Sequence, residues 1–102
     1  MKKIDTLYKL ADFVYSCHNK GEIVRLFTCQ AYFKKYSGEI IALFSYDTEV
    51  LRYDFTRSIC LKTSNVQTNT TLYHLRKFFD FVADRGKYYE FKQLKKGDFL
   101  YL

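Results

Sequence analysis

Apolar and polar residues alternate with the period of a helix in the N-terminal segment of the chain. Apolar side chains recur at i, i+3, i+4 and i+7, which predicts an amphipathic helix over residues 4–17. The predicted buried stripe consists of Ile4, Leu7, Tyr8, Ala11, Val14 and Tyr15. Asn19, Lys20 and Gly21 follow this stripe. A cationic last turn and a glycine able to adopt left-handed backbone predict the end of the helix there.

From residue 22 to residue 61 the pattern changes to β-branched and aromatic residues separated by turn signals. It predicts a meander of antiparallel strands near residues 23–34, 39–45, 48–54 and 58–62. Residues 35–38, which end in Gly38, form the clearest predicted hairpin turn, and residues 54–57 form a weaker one. Residues 45–48 fit either a third turn or a bulge in one long strand.

A second helix is predicted after a polar loop over residues 63–71. Thr70 or Thr71 can cap its N-terminus through the side-chain hydroxyl. The predicted buried stripe of this helix consists of Leu72, Leu75, Phe78, Phe79 and Val82. Arg76 and Asp80 stand four residues apart on the other side, which favours an ion pair between them.

The residues after the second helix predict a terminal hairpin. Arg85 and Gly86 indicate the end of the helix, residues 88–94 a strand, residues 95–98 a turn, and residues 99–102 a short final strand or docked tail. The pattern as a whole predicts an α+β fold in a single compact domain spanning residues 1–102. Its expected form is an antiparallel sheet of about four to six strands with two amphipathic helices packed on it.

Aromatic residues are unusually frequent in this chain. Its 102 residues include ten Tyr and ten Phe, with no Trp and no Pro. Most rings are expected to be structural, with Tyr8, Tyr15, Phe78 and Phe79 on buried helix faces and Phe27, Phe33 and Phe44 in the sheet core. The candidates for a binding surface are then Tyr46, Tyr53, Tyr88 and Tyr89, because Tyr often anchors interfaces and stacks on bases.

Bulk features indicate the compartment in which the protein acts. No run of 18 or more apolar residues occurs, and charged residues interrupt the N-terminal segment, so neither a membrane span nor a secretory signal is predicted. The odd number of widely spaced cysteines, Cys17, Cys29 and Cys60, favours free thiols in a reducing cytoplasm. Phe, Tyr, Ile, Asn and Lys outnumber Gly, Ala, Arg and Pro, which is typical of an AT-rich gene and points to a low-GC bacterium or its phages and plasmids.

Residues with catalytic or metal-binding chemistry are present, but they lack the spacing that such sites need. His18, His74 and the cysteines show neither C-x2-C nor H-x3-5-H spacing, so no zinc site is predicted. No local signature pairs Cys29 or Cys60 with His74, and we expect His74 to be an ordinary surface or capping residue. The isolated glycines form no phosphate-binding loop. The sequence therefore predicts no enzyme activity, no cofactor and no metal.

Positive charge is concentrated in the second half of the chain. Residues 1–50 hold seven basic and six acidic side chains, a net of +1, whereas residues 51–102 hold ten and five, a net of +5. The predicted partner-binding or nucleic-acid-binding residues are Arg76, Lys77, Arg85, Lys87, Tyr88, Tyr89, Lys92, Lys95 and Lys96. Such a patch can hold a phosphate backbone and stack bases, while a solvated Lys-rich surface is the alternative. Residues 64–71 fit either a contact loop or a plain connection.

The segment over residues 40–79 resembles a family of small phage and plasmid proteins from low-GC Gram-positive bacteria. The match is an order of features: Ser45-Tyr46-Asp47-Thr48 at a strand end, then Val50, a hairpin, and Thr70-Thr71-x-x-His74-Leu75-x-x-Phe78 opening a helix. The usual Ala after the Val is Leu51 in this chain. The resemblance implies a strand-strand-helix unit and a mobile-element origin.

Two functions follow as expectations from the resemblance and the charge. By analogy with small phage proteins of this size, the first is a non-catalytic inhibitor of a bacterial defence protein or ribonucleoprotein, with an anti-CRISPR protein that blocks a Cas effector as the expected case. The second is a basic nucleic-acid-binding accessory protein for phage replication or transcription, in direct contact with RNA or DNA. Both place the protein in the host bacterial cytoplasm and away from the membrane.

Overall fold

Seven strands form one sheet in the computed structural model, which describes residues 2–16 and 21–102. The strands are β1 (Lys3–Ile4), β2 (Ile23–Leu26), β3 (Ala31–Ser37), β4 (Ile40–Ser45), β5 (Thr48–Asp54), β6 (Ile59–Lys62) and β7 (Phe99–Tyr101). Their spatial order follows the chain, and the neighbours are antiparallel apart from the parallel pair β1 and β2. The predicted α+β class is confirmed, with more strands than the four to six expected.

Three helices lie in the described part of the chain: α1 (Leu7–Tyr15), α2 (Asn69–Val82) and α3 (Arg85–Lys92). α1 connects β1 to β2, and α2 and α3 connect β6 to β7. Val24, Phe33, Leu43 and Leu51 are successive cross-strand partners that face the same core as the buried side chains of these helices. The described helices therefore cover one face of the sheet, because side chains on a strand alternate between its two faces.

Of the buried stripe that the sequence predicted, α1 buries only Val14, and Ile4 is buried as part of β1. The buried residues of α1 are Leu10, Phe13 and Val14. Leu7, Tyr8 and Tyr15 are exposed instead, with Tyr8 at 83%. Both sets have helical spacing, so only packing against the sheet selects between them. The helix ends at Tyr15, and the predicted cationic end at Asn19 and Lys20 lies outside the described residues.

The predicted strand over residues 23–34 is two strands. The chain turns between β2 and β3, and Phe27 within this turn has a positive φ of 53°. The turn after β3 contains Gly38, whose φ of 56° suits a residue without a Cβ. Tyr46 and Asp47 form the turn after β4, and a register shift lies beside it at Leu43 and Phe44. The predicted turn over residues 54–57 is confirmed.

Thr68 begins α2, so the prediction of Thr70 or Thr71 as its cap is wrong. The Thr68 side chain accepts a hydrogen bond of 3.2 Å from the backbone N–H of Thr71. A hydroxyl in this position satisfies a backbone donor that the first turn leaves unpaired. Thr70 is an exposed residue of the first turn, and Thr71 is buried against the sheet.

The predicted strand over residues 88–94 is wrong, because α3 occupies this segment. Asp84 caps α3 by accepting a 3.0 Å hydrogen bond from the backbone N–H of Lys87, so Arg85 and Gly86 begin this helix rather than ending α2. Tyr88 and Phe91 are buried three residues apart, which is helical spacing. The predicted turn over residues 95–98 and the final strand are confirmed as the turn before β7 and β7 itself.

Candidate functional site

The outward side of α2 and α3 holds most of the predicted contact residues. We call it the basic helix face, and it comprises Arg76, Lys77, Arg85, Lys87, Tyr89 and Lys92. Lys95 and Lys96 lie apart from it, in the turn before β7, where Lys96 lines a cleft of about 370 Å³ together with Arg52. Tyr88 is buried in the core, so its ring is not available to stack on a base.

Asp80 is the acidic centre of the basic helix face. The Arg85 guanidinium donates two hydrogen bonds to the Asp80 carboxylate, from Nε to Oδ1 at 3.0 Å and from Nη2 to Oδ2 at 2.7 Å. The hydrogen bond from Arg85 lowers the pKa of Asp80, and the charges of Arg85, Arg76 and Lys77 lower it further. The prediction that Arg76 forms an ion pair with Asp80 is wrong, because Asp80 forms its ion pair with Arg85.

Aromatic rings hold several cations of the basic helix face in place. The Arg76 guanidinium lies 5.5 Å from the ring centre of Tyr73, and the Lys92 ammonium lies 5.9 Å from that of Tyr89. Lys87 pairs with Glu90 at 3.3 Å. A cation–π contact at an exposed site contributes about 0.5–1 kcal/mol. The face therefore presents positioned cations with an exposed tyrosine among them.

The polar loop before α2 is bound to the turn that precedes β7. The side-chain oxygen of Asn65 accepts a 3.0 Å hydrogen bond from the backbone N–H of Lys96. The Gln67 side chain approaches the Lys92 carbonyl at 3.5 Å, and Thr68 caps α2. These contacts favour the plain connection among the two alternatives for residues 64–71.

Ser45, Thr71 and His74 form a buried polar cluster between β4 and α2. The Ser45 hydroxyl lies 2.7 Å from Nδ1 of His74 and 3.3 Å from the Thr71 hydroxyl, which in turn lies 3.0 Å from that of Thr68. His74 is 2% exposed, so the expectation of a surface or capping residue is wrong. Burial lowers the pKa of His74, which favours the neutral imidazole.

A serine and a histidine in contact suggest a nucleophile with its base. Ser45 is only 4% exposed, so its hydroxyl is closed to a substrate. The contact instead ties the end of β4 to the first turns of α2. Ser45 lies at the end of β4 and Thr71 and His74 lie in the first turns of α2, so the fold brings together two segments that are distant in the sequence.

Lys62 is a buried cation that the sequence analysis did not single out. Its ammonium group donates to the carbonyl oxygens of Leu94 at 2.8 Å, Phe91 at 3.4 Å and Lys92 at 3.5 Å, at the C-terminal end of α3. Burial lowers the pKa of Lys62. The available signal was strand alternation, since the period that buries Cys60 also turns Lys62 inward.

The sheet face opposite the helices is a second surface that the sequence analysis missed. Phe44 was expected in the core, but it lies half-buried on this face, opposite Tyr32 on the neighbouring strand. Tyr53 was a candidate for a binding surface, and it is buried in the core. Strand register, rather than residue type, decides on which face each ring lies.

Two structural findings and a comparison with known proteins bear on the kind of site. Among residues 2–16 and 21–102, no helix is both long and apolar enough to cross a bilayer. In the same residues no three His, Cys, Asp or Glu side chains are placed to hold a metal ion, and Cys17 and His18 lie outside this range. Comparison of the chain with protein-family models, curated proteins and solved structures found no match.

Proposed function

We propose that the protein is a non-catalytic binding protein whose basic helix face contacts the phosphate backbone of RNA or DNA. The observation that carries this proposal is the grouping of Arg76, Lys77 and Arg85 around Asp80. One carboxylate cannot neutralise three cations, so an excess positive charge remains on an exposed helical surface. Phosphates bind such a surface because binding releases the counterions condensed on the nucleic acid.

Tyr89 adds a stacking element to this face. Its side chain is 55% exposed and lies beside the Lys92 ammonium. An exposed ring next to a cation can stack on an unpaired base while the cation holds the adjoining phosphate. Backbone contacts of this kind position a nucleic acid without reading its sequence, and we therefore expect sequence-independent binding.

The experiment that tests this proposal measures fluorescence anisotropy of a labelled 20-nucleotide duplex between 50 and 200 mM salt. The double variant Arg76→Gln/Lys77→Gln should bind more weakly and lower the slope of log K against log salt by about 0.9 for each lost phosphate contact. The matched control is Lys2→Gln/Lys3→Gln, which removes the same charge from exposed positions on β1 and just before it. The control should keep its affinity and slope.

The substitution Asp80→Asn acts in the opposite direction. It removes the one carboxylate at the centre of the face, so affinity for the duplex should rise. Asp80 is exposed, and exposed ion pairs contribute little to stability, so folding should be preserved. Equal loss of binding in both double variants would mean that net charge alone matters, and it would contradict a localised site.

A second proposal is that the partner is a bacterial defence nucleoprotein, with a Cas effector as the expected case. The favouring observation is that cations and rings lie on two opposite sides of the chain, on the basic helix face and on the sheet face opposite the helices. A nucleoprotein offers both phosphates and protein to such a molecule. The free thiols of Cys29 and Cys60 suit the reducing bacterial cytoplasm in which such a partner works.

Cleavage assays with purified effectors test this second proposal. We expect the protein to co-purify with one effector and to stop its cleavage of target DNA. The Arg76→Gln/Lys77→Gln variant serves to show whether the basic helix face is required. Unchanged cleavage across a panel of defence nucleases would contradict the inhibitor role, and it would leave direct nucleic-acid binding unaffected.

A further inference from the structure

The sheet face opposite the helices carries a row of large side chains across adjacent strands. Arg25 on β2 is the cross-strand partner of Tyr32 on β3, and Tyr32 is the partner of Phe44 on β4. Directly opposed side chains of this kind have Cβ atoms about 4.5–5.5 Å apart. Two aromatic rings therefore stand side by side on this face, with a guanidinium at one end of the row.

Each of three rings on this face is accompanied by a cation. The Arg25 guanidinium lies 5.7 Å from the ring centre of Tyr32, the Lys34 ammonium 4.9 Å from that of Phe44, and the Arg52 guanidinium 4.1 Å from that of Tyr36. All three distances fall within the range of a cation–π contact. We call these six residues the sheet platform.

Two of the three cations of the sheet platform form no ion pair within the described chain. Arg52 is bound to Glu49 at 2.6 Å, whereas within the described chain neither Arg25 nor Lys34 forms an ion pair. Nε of Arg25 is also buried without a hydrogen-bond partner in that part of the chain. The platform therefore combines two rings with two cations that form no ion pair in the described chain. One acid, Glu49, is the cross-strand partner of Phe44, and it is bound to Arg52.

A cleft of about 300 Å³ opens on the platform between β2 and the turn after β4. Tyr32, Lys34 and Phe44 line it, and Ile23, Tyr46 and Asp47 complete its walls. Tyr46 is exposed, so a third ring stands at the rim. The cleft gives a flat group access to the rings from the solvent side.

We propose that the sheet platform binds single-stranded nucleic acid, with bases stacked on Tyr32 and Phe44 and phosphates at Arg25 and Lys34. Rings on a sheet surface can stack only on bases that are not paired, which selects single strands over duplexes. The charge of the platform complements a polyanion, and this favours a nucleic acid over a protein surface of mixed charge. The site lies on the opposite side of the sheet from the basic helix face and does not depend on the function proposed for that face.

The variants that test the platform remove rings but keep the preference for strand. Tyr32→Thr and Phe44→Val replace each ring by a β-branched residue, so β3 and β4 should still form. The matched control is Tyr8→Ala, which removes an exposed ring from α1. Phe44→Trp keeps a stacking ring, and because the chain has no Trp it also provides a single fluorescent reporter at the site.

The experiment compares a 15-nucleotide oligo-dT with an abasic strand of the same length and charge. Removing one protein ring on which a base stacks should lower the affinity roughly 5- to 150-fold, which corresponds to the 1–3 kcal/mol of base–aromatic stacking. Tyr32→Thr/Phe44→Val removes two rings and should therefore weaken oligo-dT binding at least about 25-fold, while the abasic strand should be almost unaffected. Lys34→Gln should reduce the salt slope by about 0.7, and oligo-dT should quench the fluorescence of Phe44→Trp.

The outcomes separate this site from the basic helix face. If only Arg76→Gln/Lys77→Gln weakens binding, the platform is overturned and the function proposed for the helix face stands. Equal affinity for oligo-dT and the abasic strand would overturn base stacking on the platform. The Phe44→Trp variant should have the same Tm as the natural protein. If oligo-dT then leaves its fluorescence unchanged, the proposal is overturned and protein docking remains as the use of this face. If the natural protein binds neither strand nor duplex, both proposals fail.

Discussion

The buried contact between Ser45 and His74 makes the sharpest stability prediction. Substituting Ser45→Ala removes a hydroxyl that lies 2.7 Å from Nδ1 of His74. Thr71 keeps a second partner, because its hydroxyl also lies 3.0 Å from that of Thr68. In the part of the chain that the structure describes, Nδ1 of His74 has no other hydrogen-bond partner. The substitution therefore leaves one buried polar atom without a hydrogen bond.

The size of the expected stability loss follows from leaving Nδ1 of His74 without a hydrogen-bond partner. A buried group that loses its hydrogen-bond partner costs about 1–3 kcal/mol, whereas the smaller volume of alanine adds little. We expect Ser45→Ala to lower the free energy of unfolding by about 2 kcal/mol. For a domain of this size each kcal/mol shifts Tm by about 4–8 °C, so the variant should melt roughly 10 °C below the natural protein.

Circular dichroism during urea and thermal unfolding at pH 7.5 measures this loss. Ser37→Ala is the matched control, because Ser37 is exposed on β3 and its substitution should change the free energy by less than about 0.5 kcal/mol. A loss below 0.5 kcal/mol for Ser45→Ala as well would refute the view that this contact holds α2 against β4.

The same cluster predicts a dependence on pH. Burial lowers the pKa of His74 below its ordinary value of 6.5, so on acidification the unfolded chain takes up the proton first. The stability that comes from the neutral imidazole is fully present above pH 6.5 and is lost as the pH falls from there through the lower pKa of the folded state. A His74→Gln variant should lack this decline between pH 7.5 and 5.5, and an identical decline in that variant would contradict the assignment.

Three further predictions concern single residues elsewhere in the fold. Lys62→Met removes the donor that lies 2.8 Å from the Leu94 carbonyl oxygen, and it should lower the free energy of unfolding, measured in urea, by about 1–3 kcal/mol. An unchanged midpoint of urea unfolding would argue against a role of Lys62 at the end of α3. Ser58 has a φ of 54°, so Ser58→Gly should be more stable than Ser58→Val by about 1–2 kcal/mol in the same assay, and equal stability would show that the strain is relieved elsewhere. Burial raises the pKa of the Cys60 thiol, so iodoacetamide should label Cys60 in the native protein at least tenfold more slowly than half-buried Cys29, as measured by peptide mass spectrometry. Similar labelling rates would contradict a closed core around Cys60.

Much of the sheet could be predicted because strands and turns are local. The predicted strand ranges for β4 and β5 agree closely with the structure, since alternation and a turn signal at each end determine them. The segment at residues 88–94 failed because Tyr88 and Phe91 suit a strand by residue type and a helix by spacing. Asp84 as a helix cap was the signal that separates the two readings.

The candidate site was less predictable than the fold, because it depends on which residues meet in space. The sequence identified the cations of the basic helix face, but it paired Asp80 with Arg76 rather than Arg85, which lies beyond the break between α2 and α3. It also did not indicate the sheet platform, whose members are spread from β2 to β5. Contacts between strands depend on register, which no local pattern specifies.

The sequence by itself determined the α+β class, the meander and the excess of positive charge in the second half, because each depends on local periodicity or on composition. Only the tertiary structure decided which face of α1 is buried, that Tyr88 belongs to the core, and that Ser45 meets His74. These outcomes depend on packing between segments far apart in the chain. Side chains with the same local pattern gain or lose their burial according to the neighbour that the fold supplies.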